Sequence, residues 1–342
     1  MKNFVKERWS DVLLGVVFVV SGFVKAVDPV GLSYKIEEYL RMFQLSGWSV
    51  FSVSFAVLLC VAEMTLGLLL LLRLWRRVTA VAVTSFMVGF TILTYWIYTD
   101  PYGGINECGC FGEAIHLSNG ATFAKNMVLL VVTGFHLRNV FRQDKKSFNY
   151  RQIGLAAGVL VMAFFVPLYA YFYLPPFDFL PYNVGTKMGT ESAVHFYNSD
   201  FNDVTEEVFA GKRPVYMLGM KEEISREKSS KIASLYEAYR NGTVDLFAAT
   251  SKNGITVPGY DDIPVYLMDN VVLKSILRTS AGVVAFADER IVGKWNLLYT
   301  PYRFEGGYGE ELSRERLKSG MFWGVLLLML GGLFYGRQKL RV

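Results

Sequence analysis

The sequence predicts a membrane α-helical protein: a four-helix bundle, two further transmembrane helices and an α/β extracytoplasmic domain. Three observations predict it. Of the 342 residues, 52% are hydrophobic and 15% aromatic, with mean hydropathy +0.30, too apolar for an ordinary soluble protein. The apolar residues fall in blocks of roughly bilayer length. Lys and Arg gather beside those blocks, so the net charge of +5 reads as membrane orientation and not as nucleic-acid binding.

Met1 to Asp11 is a basic, amphipathic lead-in, and Val12 to Val27 forms the first span, with Lys25 placed to snorkel from its end. A signal peptide would begin in the same way, but Lys25 stands where a small-residue cleavage site belongs, so the segment is read as a retained helix. Asp28-Pro29 closes this helix, and Tyr34 to Phe43 follows as a short amphipathic, interfacial helix. The next spans are Val50 to Leu72, Val78 to Ile97, Phe123 to Leu137, Ile153 to Leu174 and Met321 to Tyr335. Basic clusters sit at the N-terminus, at Arg73, Arg76 and Arg77, from Arg138 to Arg151, and at Arg337, Lys339 and Arg341. If each block spans once, all four fall on one side, which is then cytoplasmic. Both termini are accordingly expected inside a bacterial inner membrane.

The segment after Pro175-Pro176 is polar and mixed in charge. Val194 to Tyr197, Pro214 to Leu218 and Val244 to Ala249 read as strands. Glu227 to Arg240 and Val271 to Arg278 read as helices, and Gly282 to Ala287 with Arg290 to Trp295 as a hairpin. Together they predict a small α/β domain large enough to bury its own core.

The candidate chemistry lies in the loop from Asp100 to Glu113, which holds Cys108-Gly109-Cys110, two of the three cysteines. Outside the cytoplasm these two can pair, and a disulfide spanning one residue is strained and exchangeable. Three readings of the loop stay open: redox exchange, a static staple, and a metal site. The last, using Cys108, Cys110 and His116, would be one ligand short of a closed zinc site, so no metal is expected. Cys60 is read as core. Glu63, a carboxylate at bilayer depth, needs a partner, either Lys25 or a tyrosine. His136 is read as interfacial. The small-residue spacings Gly154 to Gly158, Gly320 to Gly324 and Gly332 to Gly336 point to close packing of the last two spans with each other or with a partner.

The first 137 or so residues resemble the MauE branch of the DoxX-like, redox-associated membrane proteins. The residues that carry the resemblance are Ser21 to Gly31, Glu63 with Leu66-Gly67, and Cys108-Gly109-Cys110-Phe111-Gly112. It implies a part in maturing or supporting envelope proteins; the family is named from methylamine utilisation, but nothing here is specific to methylamine. On this reading Cys108 and Cys110 are the catalytic candidates, with Lys25, Glu63 and Asp28 in support. The outer domain is similar to the thioredoxin fold, with Gly219 to Ile224 where the dithiol would stand and Ala281 in place of the usual proline. It is therefore expected to bind or dock and not to carry out redox chemistry itself.

The expected domains are 1–140 (MauE/DoxX-like four-helix domain), 141–175 (cytoplasmic loop and fifth helix), 176–318 (periplasmic thioredoxin-like domain) and 319–342 (sixth helix and basic tail). The expected function is support of thiol-disulfide exchange or maturation of envelope proteins; any turnover would be thiol-disulfide oxidoreductase-like. The expected partners are membrane lipid and a protein at the outer domain, with no nucleic acid. A membrane quinone is the cofactor expected by analogy with other four-helix thiol oxidases. The alternative is a non-catalytic scaffold that docks a partner complex.

Overall fold

The computed structural model describes residues 2–99, 117–143, 150–176, 179–188, 194–211, 213–299 and 308–339. The loop holding Cys108, Cys110 and His116 lies outside the described residues. The chain divides into two compact units, Met1–Ala170 with Trp323–Val342, and Tyr171–Phe322.

In the first unit α1 (Lys2–Val27) is followed by α2 (Pro29–Met42), α3 (Ser52–Leu72), α4 (Arg76–Thr99), α5 (Asn119–Gln143) and α6 (Ile153–Tyr173). The last helix of the chain reaches Lys339. Six helices among the described residues are long and apolar enough to cross a membrane, running Arg8–Val27, Ser46–Leu72, Arg76–Thr99, Asn119–Gln143, Ile153–Tyr173 and Leu317–Lys339. The chain is a multi-pass membrane protein. Each predicted span lies within one of these helices or overruns it by a single residue.

Asp28-Pro29 both stops α1 and starts α2. The Asp28 carboxylate caps the new helix, with Oδ1 accepting from the Gly31 amide at 2.8 Å. Pro29 takes the first helical position, where no amide hydrogen is needed. The helix expected from Tyr34 therefore begins five residues earlier. At the other end of α3, Arg73 adopts the left-handed conformation (φ 53°) and its amide bonds back to Leu69 and Leu70.

Helix α1 packs on α3 because glycines remove the side chains between them. A Cβ on Gly67 would lie 2.7 Å from the Val19 amide nitrogen and 2.9 Å from the Gly15 carbonyl. One on Gly22 would lie 2.8 Å from the Met64 nitrogen. These neighbours are backbone and cannot yield, so the approach depends on glycine. Helix α4 packs in turn on α5. Of the glycine pairs on the last two spans, Gly158 faces Leu333 and Gly336 faces Leu155, whereas Gly154, Gly320, Gly324 and Gly332 face open space.

The second unit contains a five-stranded sheet in the order β3-β2-β1-β4-β5. Its strands are β1 (Val215–Met220), β2 (Asp245–Thr250), β3 (Val265–Leu267), β4 (Ala281–Ala287) and β5 (Arg290–Asn296). The first three run parallel, and β4 and β5 are antiparallel. Short helices α7 (Thr205–Phe209), α8 (Arg226–Ser229), α9 (Ala233–Arg240) and α10 (Asn270–Ile276) accompany it, and α11 (Tyr308–Lys339) closes the chain. Alternation along β1 divides the core. Tyr216, Leu218 and Met220 pack with Ile232, Leu235 and Trp295 on one face. Val215 and Met217 pack with Phe196, Phe247, Leu273 and Phe286 on the other.

The hairpin and the strands from Pro214 and Val244 form as predicted to within about two residues, the hairpin turning through Asp288 and Glu289 at positive φ. Two elements differ. The helix expected over Glu227 to Arg240 is broken into α8, a 3₁₀ turn at Ser230–Ile232, and α9. At the break, the Ser229 hydroxyl donates to the distant Pro258 carbonyl at 2.6 Å. The strand expected over Val194 to Tyr197 shrinks to a bridge, in which Tyr197 exchanges backbone bonds with Leu267.

Candidate functional site

Two of the predicted supporting residues meet. Lys25 lies in the last turn of α1 and Glu63 in the middle of α3, both only 2–3% exposed. The Lys25 ammonium is 2.5 Å from Glu63 Oε1 and donates to Ser21 Oγ at 3.1 Å. Ser21 in turn donates to Glu63 Oε2 at 3.0 Å. Both ions are thereby paired inside a membrane helix bundle, where an isolated charge would cost several kcal/mol. The glycine contact of α1 with α3 makes this possible, since Gly22 sits one residue from Ser21 and packs against Glu63 Cβ itself.

Other helices complete the surroundings. The Phe90 ring of α4 lies under the ammonium, 5.2 Å from Nζ to the ring centre. Lys125 and Asn126 of α5 line the same small cavity of about 40 Å³, which has room for two or three waters. Asn126 donates to Thr94 Oγ1 at 3.2 Å. Phe90 is nine residues from the end of α4 and Asn126 seven from the start of α5, so the pair lies about 10–14 Å along the helices from where the cysteine loop joins them. Asp28 caps α2 three residues beyond Lys25. Cys60, one turn before Glu63, is fully buried. Among the described residues, no three His, Cys, Asp or Glu side chains group to hold a metal.

A second buried cluster joins Ser10 and Asp11 of α1, Arg73, and His136 of α5. Arg73 Nε is 3.0 Å from Asp11 Oδ2, and His136 Nδ1 is 3.5 Å from Asp11 Oδ1 and 3.0 Å from Ser10 Oγ. The sequence reading missed Asp11 and placed His136 at an interface, whereas its ring is 2% exposed and bound on two sides. The only available signal was an acid heading an apolar run.

In the sheet unit, Asp203 accepts from the Thr205 hydroxyl at 2.6 Å and the Thr205 amide at 2.9 Å, and faces His195 Nδ1 at 2.8 Å. The Thr205 bonds, and secondarily the histidine, hold its carboxyl below the usual 3.8. The folded state therefore gains stability that is fully present above the unfolded carboxyl's range and is lost as pH falls through the lower folded value. Asp203→Asn is expected to make stability fall less steeply between about pH 5 and 3, as read from melting temperatures of the full-length protein. A slope equal to that of the wild type would refute this.

The fold and this buried site define a multi-pass membrane protein with a polar centre inside its N-terminal bundle. Residues 7–138 match the family described as methylamine utilisation protein MauE, a stretch containing Lys25, Asp28, Glu63 and both loop cysteines. That stretch is MauE-like. Protein TlpB of Flavobacterium psychrophilum is 25% identical over 158 residues, 45% of this chain and 42% of the relative, so the chain spans less than half of that protein's length. No solved structure matches the chain.

Proposed function

We propose that this protein supports thiol-disulfide exchange or maturation of envelope proteins through Cys108 and Cys110. The observation that carries the reading is the MauE-like stretch, which contains both the cysteine loop and the buried Lys25–Glu63 pair. The loop joins α4 to α5, the two helices that supply Phe90 and Asn126 to the surroundings of that pair. In the proposed exchange, a client dithiol is oxidised as the Cys108–Cys110 disulfide is reduced. The two electrons and two protons then pass to a membrane quinone, leaving a quinol and a restored disulfide. The basic clusters support an inner-membrane orientation with the loop and the sheet unit outside.

The sheet unit fits a thioredoxin-like client-binding module. Its order β2-β1-β4-β5, with β1 parallel to β2 and β4 antiparallel to both β1 and β5, supports that reading. Gly219 to Ile224, the end of β1 and the turn that follows it, has no thiol. Lys221 occupies that turn, its ammonium bound to the Leu277 carbonyl at 2.6 Å and its amide to Ser280. This cysteine-free turn also favours a second reading, a scaffold whose loop disulfide is structural.

Acid-quenched alkylation of Cys108 and Cys110 in native membranes separates the two. Exchange predicts a mixed thiol-disulfide population that shifts toward disulfide on adding quinone, and loss of client oxidation in Cys108→Ser/Cys110→Ser with the fold intact. A pair that stays oxidised under mild reductant, with full function in the serine variant, would overturn exchange in favour of the scaffold.

A further inference from the structure

The basic ends of the membrane helices converge within the first unit. Asp11 of α1 holds Arg73, the left-handed cap of α3, at 3.0 Å, and Arg8 precedes Asp11 by about one turn on the same helix face. Arg76 opens α4 three residues after Arg73, and between them the Trp75 amide donates to Gln152 Oε1, just before α6, at 2.9 Å. Leu155, in the first turn of α6, is 2.8 Å from where a Cβ on Gly336 would lie, which brings Arg337 of α11 to the same end. Arg8, Arg73, Arg76 and Arg337 are each half-buried, held by the helices yet partly exposed. We propose that these arginines seat the phosphate of an anionic phospholipid from the surrounding leaflet.

Charge complementarity selects the occupant. Segments 1–11, 73–77, 138–151 and 337–342 carry fourteen Lys and Arg against three acidic side chains, Glu7, Asp11 and Asp144, so most of the positive charge there can be met only from outside the chain. At Arg73 the crowding is felt directly: burial, then Arg76, then Arg8 and Arg337 push its guanidinium below its usual pKa, and Asp11 works against them. A guanidinium fork matches two phosphate oxygens at once, and basic pockets between membrane helices are headgroup sites. Depth selects the source of the phosphate. Arg8 begins one span, Arg76 begins another and Arg337 lies in the last turn of a third, the level of the headgroups and not of the bulk solution. A zwitterionic headgroup would bring its own ammonium against the arginines, whereas an anionic one meets only attraction. A phosphate shared by Arg8 and Arg337 would also tie the last helix to the first, adding to the stacking of Trp323 on Phe23.

The test follows thermal unfolding of the full-length protein in dodecyl maltoside as lipid is added. Dioleoylphosphatidylglycerol is expected to raise the melting temperature saturably above the value reached with equal dioleoylphosphatidylcholine, whereas inorganic phosphate leaves it unchanged. Arg8→Gln/Arg337→Gln is expected to raise the half-saturating lipid concentration by about tenfold or more. Arg138 and Arg142 are exposed on α5 at the same end, where Arg77 covers the Phe141 ring. Arg138→Gln/Arg142→Gln removes the same charge and is expected to shift half-saturation by less than about twofold. Either single variant, Arg8→Gln or Arg337→Gln, with a shift of about threefold, serves if the first double variant fails to fold. Equal shifts in the two double variants would reduce the effect to diffuse surface charge and overturn the site. No rise above phosphatidylcholine, or the same rise from inorganic phosphate, would overturn the lipid as its occupant.

Discussion

Lys25→Met is expected to destabilise the protein by about 3–5 kcal/mol, because it strands the Glu63 carboxylate inside the bundle. Glu63→Met is expected to cost a similar amount by stranding the ammonium. The double variant is expected to recover most of the loss, since replacing a whole buried pair by apolar groups of similar volume is often neutral. Ser21 alone cannot compensate either single change: its hydroxyl gives each ion one charge-assisted hydrogen bond, worth about 1.5–3 kcal/mol. Denaturant unfolding of the three variants in one detergent measures the cycle. Single variants as stable as the wild type, or a double variant no better than either single, would show that the pair is not closed in the folded protein.

Phe196→Ala is expected to cost about 3–5 kcal/mol in the sheet unit. The ring is fully buried, stands edge-on to Phe247 with centroids 5.1 Å apart, and touches Phe209, which continues the contact to Phe286. Removing it empties the centre of the face that Val215 and Met217 present. Phe201→Ala supplies the contrast: this ring is 68% exposed, and its loss is expected to change stability by no more than about 0.5 kcal/mol. Hydrogen exchange of β1 and β4 amides in the full-length protein reads both. Equal protection in Phe196→Ala and the wild type would contradict the packing described.

The six membrane helices were legible in the sequence because hydropathy and length alone mark a span, and Asp28-Pro29 marked one boundary sharply. Its second role as the start of α2 was also written there, in an acidic cap followed by proline. Lys25 and Glu63 could be singled out because charges in apolar runs need partners, which narrowed the choice for Glu63 to a lysine or a tyrosine. The glycines that bring them together could not be interpreted: Gly15, Gly22 and Gly67 acquire meaning only once α1 is known to lie on α3. Arg73 caps α3, whereas Asp11 and His136 are single polar residues two to three turns inside α1 and α5, so their convergence left no mark in spacing. In the sheet unit, β3 is three residues long and too short to show alternation. The break in the Glu227 to Arg240 helix accompanies a bond to a residue 29 positions away, which no local propensity records.

The Lys25–Glu63 pair also bears on how the chain is made. Lys25, in the last turn of its helix, can reach the membrane surface while α1 is alone. Glu63, near the middle of α3, has no such outlet. Synthesis from the N-terminus delivers the lysine first, so the counter-charge is waiting when the carboxylate emerges from the ribosome. The order of the helices along the chain thus spares the insertion machinery an uncompensated acid, and exchanging the two residues between helices would remove that protection while leaving the finished pair the same.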